Sequence, residues 1–140
     1  MRNFLFAVLS IAGVISVPAF AANADVSLLT LPPCDGEFSI VRISAIRPTG
    51  SIEGFMKAVE AQKAWYRSHG YKDNKIYTRK IFILDPVSGK WQYADKEVMV
   101  IHVRPPQSVE RDAAWRAFVK QYRDNSQIER AYFTCATKEQ

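Results

Sequence analysis

Nowhere in these 140 residues is there a C-x-x-C pair, an H-E-x-x-H helix, a G-x-S-x-G elbow or a glycine-rich phosphate loop. Each absence removes a chemistry: dithiol exchange, zinc proteolysis, serine hydrolysis and P-loop nucleotide binding all depend on those spacings. Calcium loops are missing as well, and the two histidines, His69 and His102, lack zinc spacing, so no metal site is expected. Cationic runs are equally scarce. No stretch of Lys or Arg exceeds two residues although the formal charge is +5, which reads as a solvated basic surface and not as a nucleic-acid-binding face. The one long apolar stretch, Phe4 to Val17, falls short of the ~20 residues that a bilayer core demands.

What that stretch does fit is an export signal. Met1, Arg2 and Asn3 form a basic start, and Pro18-Ala19-Phe20-Ala21 supplies a small-x-small cleavage pattern. Cleavage is expected after Ala21, with Ala22-Asn23-Ala24 as an alternative cut. Residues 22–33 then form an extended arm closed by Pro32-Pro33, residues 34–137 a single domain, and residues 138–140 a tail. With 48% hydrophobic and 24% charged residues, the mature chain can build one core. The protein is expected to be exported, periplasmic if the cell is Gram-negative and secreted otherwise. After signal cleavage it has no membrane association, and its compartment removes nucleic acid as a partner.

Two cysteines in an oxidising compartment imply a disulfide between Cys34 and Cys135. Leu31-Pro32-Pro33-Cys34 has the outline of a lipoprotein box, but prolines stand where such boxes need small residues, and lipidation would strand Cys135.

Along the mature chain, Phe38 to Ile46 alternates as a strand. Ser51 caps a helix whose Ile52, Phe55, Met56, Val59 and Tyr66 recur at helical spacing up to Gly70. Lys75 to Leu84 and a long arm from Trp91 through Tyr93 to Val103 flank Asp85-Pro86-Val87-Ser88-Gly89, a hairpin turn. A second helix is expected from a Ser108 cap, with Glu110 and Asp112 in its first turn and Trp115, Phe118, Val119 and Tyr122 as its buried stripe. Ile128 to Thr134 is the last strand. The order βαββαβ defines an α+β, ferredoxin-like fold: a four-stranded antiparallel sheet with two helices on one face. Its last strand lies beside its first, which brings Cys34 and Cys135 within bridging distance.

On this pattern Val41, Ile43, Ala45, Met99, Ile101, Val103, Ala131 and Phe133 are expected to face the helices. The opposite face then carries Ile40, Arg42, Ser44, Val98, Val100, His102, Arg130, Tyr132 and Thr134, with Tyr77 and Arg79 from the second strand. Element order, length and this mixed second face resemble the dimeric α+β barrel group of ferredoxin-like proteins. The resemblance is architectural and spans the mature domain. It implies a homodimer whose two sheets enclose a cavity; some members of that group are haem-dependent or cofactor-free oxygenases acting on small aromatic molecules, and others bind small ligands.

The candidate ligand-binding set is therefore Arg42, Tyr77, Arg79, His102, Arg130 and Tyr132, arginine forks and phenols suited to a small anionic or aromatic molecule. The competing reading pairs these arginines with Glu97 or Glu129. His102 is the one candidate for a catalytic base or haem ligand, against a structural role in a hydrogen bond. Three functions follow: a noncatalytic small-ligand-binding or accessory module, needing no cofactor; an oxygenase-like enzyme using His102, with haem as a possible cofactor; and a structural protein-interaction domain. The first is preferred.

Overall fold

Residues 32–136 are described by a computed structural model. The expected signal peptide, the arm as far as residue 31 and residues 137–140, which include the tail, lie outside the described residues. The elements run β1 (Phe38–Ile46), α1 (Ile52–Ser68), β2 (Lys75–Leu84), β3 (Trp91–Val103), α2 (Ala113–Asn125) and β4 (Ser126–Cys135). The strands form one antiparallel sheet in the order β2-β3-β1-β4, the ferredoxin-like arrangement expected from the sequence.

Local chemistry sets the boundaries of α1. The Ser51 side chain accepts from the Gly54 amide at 2.9 Å, satisfying one of the amide donors that a helix start leaves over. Gly54 itself is required by packing. A Cβ there would collide with the side chain of Asn125, which accepts a hydrogen bond from the Ser51 amide at 3.0 Å. At the other end Gly70 takes the left-handed conformation, φ 81°, and the amides of Gly70 and Tyr71 return to the carbonyls of Arg67 and Tyr66. This is a Schellman closure, and the Tyr71 ring meets the Tyr66 ring at 5.6 Å, the contact that such closures favour.

Helix α2 begins later than the sequence suggests. Its N-cap is Asp112, not Ser108, because the Asp112 carboxylate accepts from the Trp115 amide at 2.7 Å. The same oxygen accepts from Trp65 Nε1 at 2.9 Å, and its partner oxygen lies 3.2 Å from His69 Nε2 at the end of α1. One carboxylate thus ties both helices together, and these contacts, the Trp115 amide foremost, hold it below the ordinary aspartate pKa. Asp112→Ala should lower the thermal midpoint by about 5 °C, with Asp112→Asn recovering most of the loss. An unchanged midpoint in the alanine variant would show that the cap is redundant.

Between helices and sheet the core packs Phe55, Val59, Trp65, Tyr66 and Phe118 against Ile76, Val98 and Val100. Full burial of Phe55 and Val59 contributes roughly 1.5–3 kcal/mol each. The disulfide forms as expected. Cys34 and Cys135 bridge with Cα atoms 5.7 Å apart, next to the Phe38–Cys135 pairing that ends the β1–β4 ladder.

The two layers of the sheet are not filled as the sequence suggested. Register pairs Ile40 with His102, Arg42 with Val100 and Ser44 with Val98, and this set, with Ile76 on β2, faces the helices. Val41, Ile43, Ala45, Met99, Ile101 and Val103 occupy the open face. For β1 and β3 the expected assignment is therefore inverted. On β4, Ala131 and Phe133 pair with Arg42 and Ile40 on the helix side, whereas Arg130, Tyr132 and Thr134 stand on the open face as expected.

Candidate functional site

Six residues were expected to share one ligand-binding face. Four do: Tyr77 and Arg79 on β2, and Arg130 and Tyr132 on β4, at the two edges of the open face. Between them lie Val41 and Ile43 of β1 and Met99, Ile101 and Val103 of β3. The face is thus an aliphatic floor with a tyrosine and an arginine at each side. The Arg79 guanidinium sits over the Tyr77 ring at 5.3 Å, a cation–π contact that holds both side chains at the β2 edge. Arg130 reaches past β1 to Glu97 of β3, Nη2 to Oε2 3.3 Å, so the pairing weighed as the alternative for this arginine is present.

Arg42 and His102 belong to the other layer. His102 is only 3% exposed, its ring 5.2 Å from that of Tyr66, and its Nε2 is buried with no hydrogen-bond partner. Burial, then the nearby Arg42 charge, pushes its pKa down to about 4, so the ring is neutral near pH 7. Arg42 is desolvated beneath the helices, which lowers its own pKa, while the phenols of Tyr66 and Tyr122 oppose that shift. Burial raises both phenols in turn, Tyr66 to about 12. No ion pair among the described residues includes Arg42. A cation, a neutral imidazole and two phenols thus form a polar island in the core, closed by Tyr122 donating to Gln62 at 2.8 Å.

This corrects the role sketched for His102. A haem ligand or general base needs access to its substrate, and His102 has neither solvent nor the open face beside it. The residues do not fit an axial haem site, and the sheet-cavity oxygenase reading loses its one candidate residue. Among the described residues no group of three or more His, Cys, Asp or Glu side chains converges.

Two features were not read from the sequence as sites. The β2–β3 hairpin projects beyond the helices and exposes Phe82 (53%), Ile83 (56%), Trp91 (67%) and, at the tip, Val87 (94%). The sequence signal for it was the polar Ala94-Asp95-Lys96 stretch in a long second arm, which in the structure lies opposite the register break between Lys80 and Phe82. A cleft of about 490 Å³ also opens between the end of α1 and the start of β2. Its signal was the spacing of Lys63 and Arg67, four apart on one helix face, followed closely by Lys72 and Lys75.

No protein-family model and no curated protein matches this chain. Among solved structures it is similar to a phage SAM lyase in complex with S-methyl-5'-thioadenosine, at 14% sequence identity over 77% of this chain and 97% of that one. The TM-score is 0.28, too low for that likeness to carry any conclusion about ligand or activity.

Proposed function

We propose that the chain is an exported, noncatalytic binding module that pairs with a second copy of itself through the open sheet face and holds a small anionic or aromatic molecule between the two sheets. One observation carries this reading: the uncovered face is more aliphatic than the covered one. The helix side of β1 and β3 includes Arg42, Ser44 and His102, while Val41, Ile43, Met99, Ile101 and Val103 line the side over which no element among the described residues packs, Ile43 and Val103 being buried and the other three half-buried. An apolar surface of that kind marks an interaction site. A twofold arrangement would lay the aliphatic floors on each other.

The edges supply the ligand chemistry. Arg79 and Arg130 provide fork-shaped donors for a carboxylate or phosphate, and Tyr77 and Tyr132 provide half-exposed rings. The disulfide supports an oxidising location, the periplasm in a Gram-negative cell.

Ile101→Glu tests the interface. Each dimer would bury two such carboxylates, so association should weaken at least about 30-fold, the equivalent of ~2 kcal/mol. Sedimentation of the mature oxidised chain should give a dimer for wild type and a monomer for the variant, with matching circular dichroism. A monomeric wild type at every concentration would overturn the reading.

A further inference from the structure

The cleft between α1 and β2 is built from rigid parts. Lys63 and Arg67 come from the last turns of α1, Lys72 from the segment that follows the Schellman closure, and Lys75 from the first residue of β2. Tyr71 forms one wall, and its ring is fixed by stacking on Trp65 at 5.9 Å. Asn74 is half-buried in the lining, and its Nδ2 is buried without a hydrogen-bond partner.

Charge in this cleft is one-sided. Lys63 pairs with Glu60 at 2.8 Å, but no ion pair among the described residues includes Arg67, Lys72 or Lys75. Like charges four apart on a helix repel, and two more cations beside them add to that repulsion. The helix dipole favours Arg67 in the last turn, yet does nothing for Lys72 or Lys75 beyond it. A multivalent anion offsets such a cluster, and an oxyanion also offers the acceptor that the Asn74 amide lacks. The volume falls in the range of small-ligand sites.

We infer that this cleft, which meets the open sheet face only at its β2 edge through Tyr77, is a second ligand site that takes the anionic group of a small organic phosphate or sulfate ester. Arg67, Lys72 and Lys75 neutralise the group, the Asn74 side chain turns so that its Nδ2, buried in the unliganded chain, donates to one of its oxygens, and Tyr71 and the exposed edge of Tyr77 flank the attached organic part. The face carried by Arg111, Arg116, Lys120 and Arg123 on and before α2 is also basic but has no buried orphan donor, which makes it the internal control.

Phenyl phosphate is the probe, titrated into the mature oxidised chain and followed by amide chemical shifts, with phenyl sulfate and phenol as comparison arms. Saturable shifts at residues 72–77 and at the Asn74 side-chain amide are expected with phenyl phosphate, weaker ones with the singly charged sulfate, and none with phenol. Stronger binding of the sulfate would assign the site to sulfate esters instead of phosphates and leave the oxyanion chemistry standing. Arg67→Gln combined with Lys72→Gln should weaken binding about tenfold, and Arg67→Lys with Lys72→Arg should restore most of it. Arg116→Gln with Arg123→Gln should bind as wild type. The inference is overturned by absence of saturable shifts, by equal shifts with phenol, or by equal weakening in the α2 variant, which would mean diffuse charge attraction. Each of those outcomes leaves the sheet-face dimer untouched, because sedimentation tests that separately.

Discussion

Stability of the oxidised domain towards urea should rise by about 3 kcal/mol as pH increases from 4 to 6.5, and His102→Phe should abolish most of that rise. The folded chain keeps the His102 ring neutral down to about pH 4, whereas the unfolded chain binds a proton near the ordinary histidine value of 6.5. Between those values the unfolded state holds more protons, so acid favours unfolding. The contribution is complete above pH 6.5 and lost by about pH 4. Geometry supplies the cause: a ring at 3% exposure, with Nε2 unpaired, can remain neutral but has nothing to solvate a charge. Arg42 adds a smaller push in the same direction, so Arg42→Met should move the lower end of the window upward.

The acidic groups act in a different range. Asp85 and Asp112 have depressed pKa values, so their stabilisation is present above the ordinary aspartate value of 3.8 and is lost only as pH falls below it. Glu53, held down by Lys57, begins its loss from 4.5. A wild-type curve that is flat between pH 5 and 6.5, or one that keeps its slope in His102→Phe, would remove His102 as the source.

That histidine also shows where sequence periodicity stops being informative. The spans of β1 and β2, the hairpin turn and the caps of α1 were legible because each depends on residues within a few positions: alternation from Phe38, the Ser51 oxygen, Gly70, Asp85-Pro86. Alternation also grouped Ile40, Arg42 and Ser44 with Val98, Val100 and His102, and the register bears that grouping out. It did not say which group meets the helices. A period of two divides a strand into two sides, and the more apolar side is ordinarily assigned to the core. Here that rule fails because both sides are apolar, and because Tyr66 and Tyr122 bring hydroxyl groups into the core opposite Arg42. Those two tyrosines looked like ordinary members of helical stripes. Only the tertiary arrangement shows that their phenol ends make a polar island able to receive Arg42 and His102. The late start of α2 has a similar origin, since Asp112 and Ser108 are both good caps and the contact with Trp65, distant in sequence, accompanies the one in use.

Removing the disulfide, by reduction or by Cys34→Ser with Cys135→Ser, should cost roughly 4 kcal/mol of stability, the largest single effect expected for this chain. The bridge spans 101 residues of sequence, so it closes almost the whole described domain into one loop and restricts the unfolded chain accordingly. Because a domain of this size has a total stability of only about 5–15 kcal/mol, such a loss is a large share of what is present. The folded state gives the bridge a second task. β4 is an edge strand held in the sheet by β1 alone, and most of its residues are exposed. Its last turns of ladder depend on the Phe38–Cys135 pairing, on the Ala136 amide donating to the Glu37 carbonyl at 2.8 Å, and on Phe38 stacked against Phe133 at 6.0 Å. Without the covalent tie those contacts must hold the strand end by themselves. Urea unfolding of oxidised and reduced protein should therefore differ in midpoint, and hydrogen exchange should quicken first at residues 132–136. A difference under about 1 kcal/mol would mean that the reduced chain stays compact or that the bridge carries strain. Tyr132 lies in the segment that loosens, at the rim of the open face, so reduction should also weaken the proposed dimer. A reducing compartment would accordingly cost the protein its edge strand and its proposed interface together.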